Sequence, residues 1–331
     1  MNGAPKLDTD VVGRFERDLN AVIAPHARIG IAVSGGPDSL TLLLLAAAAR
    51  PGEVEAATID HGLRDGSGAE AEMVADVCAG LPVPHAILTA AWAHKPATAI
   101  QERAREERYR LLARWARDRQ LDAIATAHHL DDQAETLLMR LARGAGVRGL
   151  AGIRPTATAP GSGIPLLRPL LGWRRTELEQ IVAGAGLPPA RDPSNEDEQF
   201  ERIRIRRALA ESDWLKPESL AASAANLRDA DAALDWATDQ EWARAVSEAD
   251  AEILYRAADA PPEIGRRIVT RALSRLATEG GPDLRGRELD RLLSVLAGGG
   301  KSTLRGVLCT GGETWRFVAA PNRTRPVDNL R

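Results

Sequence analysis

The stretch RIGIAVSGGPDSLTLLLLAA, residues 28–47, sets the reading of the whole chain. An apolar, β-leaning run, Ile29–Val33, leads into Ser34-Gly35-Gly36-Pro37-Asp38-Ser39, and a helix-forming run, Leu40–Ala49, leads out. The two glycines let the backbone approach a ligand and adopt positive φ. Pro37 suits the first helical position, where a missing N–H is no loss. The helix N-terminus presents free N–H groups to an anion, and consecutive amides in such a turn form an anion nest. Ser34 and Ser39 add hydroxyl donors. The turn therefore reads as a phosphate cradle, although it lacks the Lys-Ser or Lys-Thr that follows the last glycine of the common nucleotide loop. It carries Asp38 instead. A carboxylate beside a polyphosphate is repelled unless a cation lies between them, so Asp38 implies Mg²⁺. The competing reading is a plain strand-to-helix turn, because Gly-Gly-Pro-Asp is good turn chemistry.

Outward from this loop, β-leaning and helical stretches alternate. Strands are expected at Val54–Ile59, Pro84–Thr89 and Ala123–Ala127, with helices at Ala69–Cys78, Ile100–Arg119 and Leu130–Arg143. Near-continuous apolar strands separated by helices predict an α/β fold: a parallel twisted sheet covered by helices on both faces. Ligands on such sheets bind at the carboxyl ends of the strands. There lie Ser34–Ser39, Asp60-His61 and His128–Asp132. The Gly/Pro-rich stretch 152–165 reads as an exposed loop. A helix is expected at Arg174–Ala185 and an Arg-rich one at Phe200–Leu209. A mostly helical region then follows from about Pro217 to Gly298, and a small β element with strands Thr303–Cys309 and Thr314–Val318. The expected division is a catalytic domain over residues 1–215 and a helical domain over 216–331.

The charge balance narrows the function classes. Net charge is −3 across 331 residues, so any nucleic acid must be held by local arginine patches rather than a global basic field. Two distant cysteines, Cys78 and Cys309, argue against a disulfide framework or a zinc site. The first residues lack the apolar core of a signal peptide. The longest apolar run is too short to span a bilayer. A cytoplasmic protein without membrane contact is expected; the oligomeric state stays open, a homodimer included.

A second stretch, ATAHHLDDQAETLLMRLARGAG at 125–146, places Asp132 and Glu135 three apart on one helix face, with Asp131 four from Glu135. Acids in a first turn also complement the helix dipole, and Asp132-x-x-Glu135 imitates a capping box, so a purely structural role competes. His128 and His129, without a cysteine partner, make a weak metal signal and read as polar pocket liners.

These stretches together resemble a known family. SGGPDS is similar to the SGGxDS loop of the ATP pyrophosphatases, which split ATP between the α- and β-phosphates. The run from His128 to Leu150 resembles the HHxDDQxET…RxxRGxGxxGL signature of the tRNA(Ile)-lysidine synthetases within that superfamily. Asp60-His61-Gly62-Leu63-Arg64, Ala104-Arg105-x-x-Arg108-Tyr109, Arg168-Pro169-Leu170-Leu171 and Asp192-Pro193-Ser194-Asn195 match further family motifs in the family's order. The likeness is strong over about 28–210. One departure stands out: Ile203 occupies the place where the family usually carries Asn.

The resemblance implies an ATP- and Mg²⁺-dependent ligase that joins L-lysine to C2 of the wobble cytidine of tRNA(Ile) through an adenylated cytidine. It implies that Ser34, Gly35, Gly36, Pro37, Asp38, Ser39, Asp60 and His61 bind ATP, with Mg²⁺ on Asp38. Asp132 and Glu135 would hold the lysine ammonium, and Arg108 joins Asp38, Asp132 and Glu135 as catalytic. Arg105, Arg202, Arg204, Arg206 and Arg207 are the expected tRNA contacts, though arginines on helices are most often a solvated, ion-paired face. The glycine run before Lys301 is not a nucleotide loop, since Val295 stands where that motif needs Gly. Two rivals remain: a tRNA thiolase of the same superfamily, which would want reactive cysteines near the site, and a non-catalytic tRNA-binding protein, against which Asp38, Asp132 and Glu135 speak.

Overall fold

The computed structural model describes residues 5–62, 67–92, 100–187, 201–257, 259–277 and 286–320. The motif residues Leu63, Arg64 and Asp192–Asn195 lie outside them. The chain divides into two compact units, Met1–Arg228 and Asp229–Arg331. The division falls within a single long helix, α9 (Pro217–Ala245), beyond the boundary expected near 215.

The first unit is built on a six-stranded sheet of order β3-β2-β1-β4-β6-β5. β1 (Ile29–Ala32) pairs in parallel with β2 (Val54–Asp60) on one side and β4 (Ala123–Ala125) on the other. β3 (His85–Thr89) adds to β2 in parallel. β1 is buried along its whole length, as a central strand between helical layers must be. The helix after it, α2 (Pro37–Ala49), buries Leu40 and Leu42–Leu45, so it sits inside the core rather than on a surface. It packs with α1 (Thr9–Asn20) and α7 (Arg175–Gly184). The opposite layer contains α4 (Ile100–Asp118), whose Tyr109, Leu112, Trp115 and Ala116 join the core around Ala32 and Ile124.

The stretch read as an exposed loop instead extends the sheet. β5 (Thr156–Thr158) and β6 (Pro165–Leu167) form an antiparallel pair, and β6 lies parallel to β4. Pro165 is tolerated because it opens its strand.

Gly30, in the middle of β1, is fixed by space rather than by backbone angle. A methyl group there would stand 2.5 Å from Trp115 and 2.9 Å from Leu121. Gly30→Ala is expected to destabilise the first unit by about 1–3 kcal/mol through overpacking. The check is a lower urea midpoint with an unchanged slope. An unmoved midpoint would mean that the indole shifts aside freely.

The second unit carries a five-stranded sheet, β7-β8-β11-β10-β9, antiparallel throughout. Helices α10 (Pro262–Leu276) and α11 (Gly286–Ala297) pack with it around Ile268, Val269, Leu292 and Phe317. β7 (Val246–Ala249) and β8 (Glu252–Tyr255) lie in a region expected to be helical. The single strand expected at 303–309 is two, β9 (Lys301–Leu304) and β10 (Val307–Thr310), turned at Arg305-Gly306; β11 (Trp315–Ala319) completes the sheet. The Gly298–Gly300 run caps α11, its amides donating to carbonyls of Ser294, Leu296 and Val295.

Candidate active site

Strand order reverses at β1: the chain proceeds from β1 through β2 to β3 on one side, and places β4 on the other. Loops leaving the carboxyl ends of β1 and β4 therefore open onto one crevice. After β1, Gly35 takes φ of 85° and Gly36 is the extended N-cap of α2. Ser39 Oγ donates to the Gly36 carbonyl at 3.0 Å and accepts the Ser34 amide at 3.1 Å. The two hydroxyls lie 3.2 Å apart. The serines thus brace the turn that the glycines make possible.

After β4, the chain enters α5 (Leu130–Ala142) through His128 and His129. His129 is buried and surrounded by aspartates. Its Nε2 lies 3.5 Å from Asp38 and 3.6 Å from Asp132, its Nδ1 3.7 Å from Asp131. Burial works against a charged ring here, but contact with Asp38 and the nearby Asp132 and Asp131 charges outweigh it and hold the pKa above its ordinary value. His128 goes the other way. Burial, with the charges of Arg168, Arg108 and Arg202, lowers it to about 4 despite Asp132, so it is neutral near pH 7; its Nδ1 lies 3.0 Å from Thr126 Oγ1.

The three acids of α5 have different duties. Asp131 accepts the Arg175 amide at 2.8 Å and the Arg174 guanidinium, which ties α5 to α7. Burial pushes its carboxyl up, and those two donors more than reverse that. Asp132 accepts the His129 amide at 3.0 Å, so the capping role weighed from the sequence is present. Glu135 caps nothing. Its buried carboxylate accepts Arg206 Nε at 2.7 Å and faces Arg202 Nε at 3.3 Å, both from α8 (Glu201–Glu211). Of the expected tRNA-binding run, Arg202 and Arg206 therefore turn toward the crevice acid. Arg204 is exposed, and Arg207, also exposed, pairs with Glu211 at 2.8 Å.

A set of cations faces the same end of the sheet. Burial and the Arg105 charge lower the Arg108 pKa, and among the described residues no carboxylate pairs with Arg108. Arg105 stacks on Tyr109 at 5.1 Å. Arg168 is buried and donates to the Arg154 carbonyl, yet its Nε has no hydrogen-bond partner. His61, at the end of β2, is lowered by burial and by Arg108. Asp60 accepts the Gly62 amide at 2.9 Å. Sequence reading noted the Arg168 motif without giving it a duty, and missed His129 as the hub of the aspartates. Sequence spacing carried no signal for either.

Other signature residues are architectural. Gln133 exchanges both ends of its amide with Ile153, at 2.7 and 2.6 Å. Arg140 donates to the carbonyls of Gly149 and Gly152.

For a divalent cation, the relevant observation is Asp38. Its Oδ1 is buried and, among the described residues, lacks a hydrogen-bond partner. Among the described residues no cluster of three or more metal-ligating side chains exists. A buried carboxylate oxygen of this kind is a ligand type that Mg²⁺ takes, one or two carboxylates being completed by phosphates and water. Both cysteines are buried, and burial pushes each thiol up to about 12, so neither offers a thiolate near neutral pH.

Residues 8–212 match the model of the PP-loop domain family. The chain is 47% identical over 310 residues to the tRNA(Ile)-lysidine synthase of Novosphingobium aromaticivorans, covering 93% of each chain. It is 44% identical to that of Zymomonas mobilis, covering 91% of each. Among solved structures, the U34-tRNA thiolase NcsA from Methanococcus maripaludis, described with its [4Fe-4S] cluster, superposes with a TM-score of 0.54. It is 15% identical, with 67% of this chain and 81% of that chain covered; at this identity the likeness is one of fold alone.

Proposed function

Since the chain belongs to the tRNA(Ile)-lysidine synthase family and carries its PP-loop ATP-binding domain, we propose that it ligates L-lysine to C2 of the wobble cytidine of tRNA(Ile) at the expense of ATP. The observation that carries this reading is that His129 lies against both Asp38 of the glycine turn and Asp132 of α5, the helix whose buried Glu135 faces Arg206. The glycine turn can grip a departing pyrophosphate, and Glu135 an ammonium.

The chemical difficulty is the leaving group. The C2 oxygen of cytosine departs poorly until AMP is joined to it. The turn at Ser34–Ser39 would bind the β- and γ-phosphates through its amides, with Arg108 and Arg168 stabilising charge at the α-phosphate. Asp38 would hold Mg²⁺, which when bound neutralises charge on the phosphates. The lysine side chain has an ordinary pKa of about 10.4 and must lose a proton before attacking C2. Glu135 and Asp132 would hold its ammonium, with one of them accepting that proton. The base must leave its stack, which an anticodon loop already permits.

Catalysis is assigned to the first unit and tRNA recognition in part to the second. We place the reaction in the cytoplasm, with its tRNA substrate; among the described residues no helix is long and apolar enough to cross a membrane. The test is AMP release with ATP, lysine and a tRNA(Ile) transcript bearing a wobble cytidine. Release that needs both lysine and that cytidine supports the reading; release without the cytidine, or none, sinks it.

The exposed arginines of α8 are assigned to RNA phosphates. Arg204→Gln with Arg207→Gln should weaken tRNA binding and lower its log–log salt slope by about 0.7–0.9 per lost contact. ATP binding should not change. An unaltered slope would return α8 to a solvated face.

A further inference from the structure

A cleft of about 480 Å³ opens between α5, α7, α8 and the start of α9, within the first unit. Its ionisable lining is Asp131, Glu135, Arg174, Arg206, Lys216 and Glu218. Glu135 is buried and forms the floor; Lys216 and Glu218 are exposed and form the mouth. Each carboxylate is already met by a cation. Arg206 and Arg202 hold Glu135, and Arg174 bridges Asp131 and Glu218. The cations are not equally served: among the described residues Lys216 has no ion-pair partner.

A ligand of this cleft would bring an anion for Lys216 at the mouth, and a cation on it would reach Glu135 at the floor by taking the place of Arg206. Its cation must compete with a guanidinium, so it must be a full positive charge. A free amino acid with a basic side chain has both features. A diamine lacks the first.

We propose that Lys216, at the mouth of this cleft, anchors the α-carboxylate of the incoming lysine, orienting the side-chain ammonium toward Glu135. The proposal rests on the ligase reading above and adds what tells a free amino acid from a bare amine. Arg174 cannot serve as that anchor without releasing Asp131 and Glu218. Arg206 stands where the substrate ammonium must go, so lysine entry displaces it from Glu135.

The test compares L-lysine with cadaverine, which keeps the amine and lacks the carboxylate, in the wild type, K216Q and K216R. AMP release with the tRNA transcript is the readout, cadaverine serving as substrate or as inhibitor. In K216Q the KM for lysine should rise about tenfold or more, the worth of one charge-assisted hydrogen bond. The apparent affinity for cadaverine should hold, so the preference for lysine collapses. K216R should retain most of that preference. Lys216 is exposed, so neither substitution threatens the fold, and matching melting curves check this. A K216Q enzyme with the wild-type lysine KM overturns the anchor, as does an equal loss for both amines. A rise confined to the tRNA KM would assign Lys216 to RNA and overturn it too. If the wild type releases no AMP in response to lysine and tRNA, the ligase reading itself fails and the anchor falls with it.

Discussion

Asp38→Asn is expected to reduce AMP formation by about 10²–10³-fold or more while the protein stays folded. That loss corresponds to about 3–4 kcal/mol of transition-state stabilisation, the scale seen when one preorganised electrostatic group is removed. Asp38 is poorly placed for a purely structural duty. Among the described residues its Oδ1 is buried without a partner, and its Oδ2 has only the 3.5 Å contact with His129. An acid in the first turn of α2 does complement the helix dipole, but that is worth about 0.3–1 kcal/mol, and Asn keeps part of the benefit. A carboxylate at a polyphosphate site is tolerated through a cation, and an amide is a much weaker ligand for that cation. The measurement is AMP release at saturating Mg²⁺, with a thermal scan alongside. Turnover near the wild-type level would remove Asp38 from the reaction. A collapse of melting temperature with lost turnover would make it a folding residue.

The first unit was legible because its signals are continuous. β1 and α2 are almost unbroken apolar runs, and the turn between them is marked by Gly35, whose φ is 85°. The hairpins were not legible. β5 and β6 have three residues each, too few for a period, and Pro165 masks the second. β7 and β8 meet at Asp250-Ala251, both with positive φ (42° and 66°), in a turn that ordinarily advertises itself with Asn or Gly. Without that flag an Ala-rich surrounding reads as helix. At Arg305-Gly306 the glycine is present, but the apolar residues on either side fused two strands into one. In the site, the residue types were visible and their pairing was not. An arginine run on a helix shows that charge exists, not which face turns inward. Only the structure separates Arg202 and Arg206, four apart and on Glu135, from the exposed Arg204 and Arg207. The signature around Asp131–Arg140 was similarly blind to labour: Gln133 holds Ile153 and Arg140 the carbonyls of Gly149 and Gly152, while Glu135 faces the cleft.

Glu135→Gln separates the last two roles an acid in that position can have. If Glu135 serves mainly to fasten α8 to α5, its loss should show in stability. The partners limit that effect: the Arg206 and Arg202 side chains are 35% and 44% exposed, so water solvates them once the carboxylate is gone. With its acid buried and its cations half-exposed, the contact lies between the roughly 0–1 kcal/mol of a surface pair and the roughly 3–5 kcal/mol lost when a fully buried pair is broken, and Gln still offers an oxygen to Arg206. If Glu135 receives the substrate ammonium, the same change removes the one full negative charge at the cleft floor. It also leaves two guanidiniums there without their acid, which repel the incoming cation. A charge-assisted hydrogen bond is worth about 1.5–3 kcal/mol, so lysine KM should rise about 10- to 100-fold. The KM for ATP should move little, because the phosphates are assigned, in the function proposed above, to the turn after β1 and not to α5. Lysine titrations of AMP release at saturating ATP, run beside thermal melts, decide between the roles. A large rise in lysine KM with a melting temperature within a few degrees of wild type assigns Glu135 to the amine. An unchanged lysine KM with a lowered melting temperature assigns it to the α5–α8 contact, and the ammonium would then have to be sought at Asp132, whose carboxylate is already committed to the cap of its own helix.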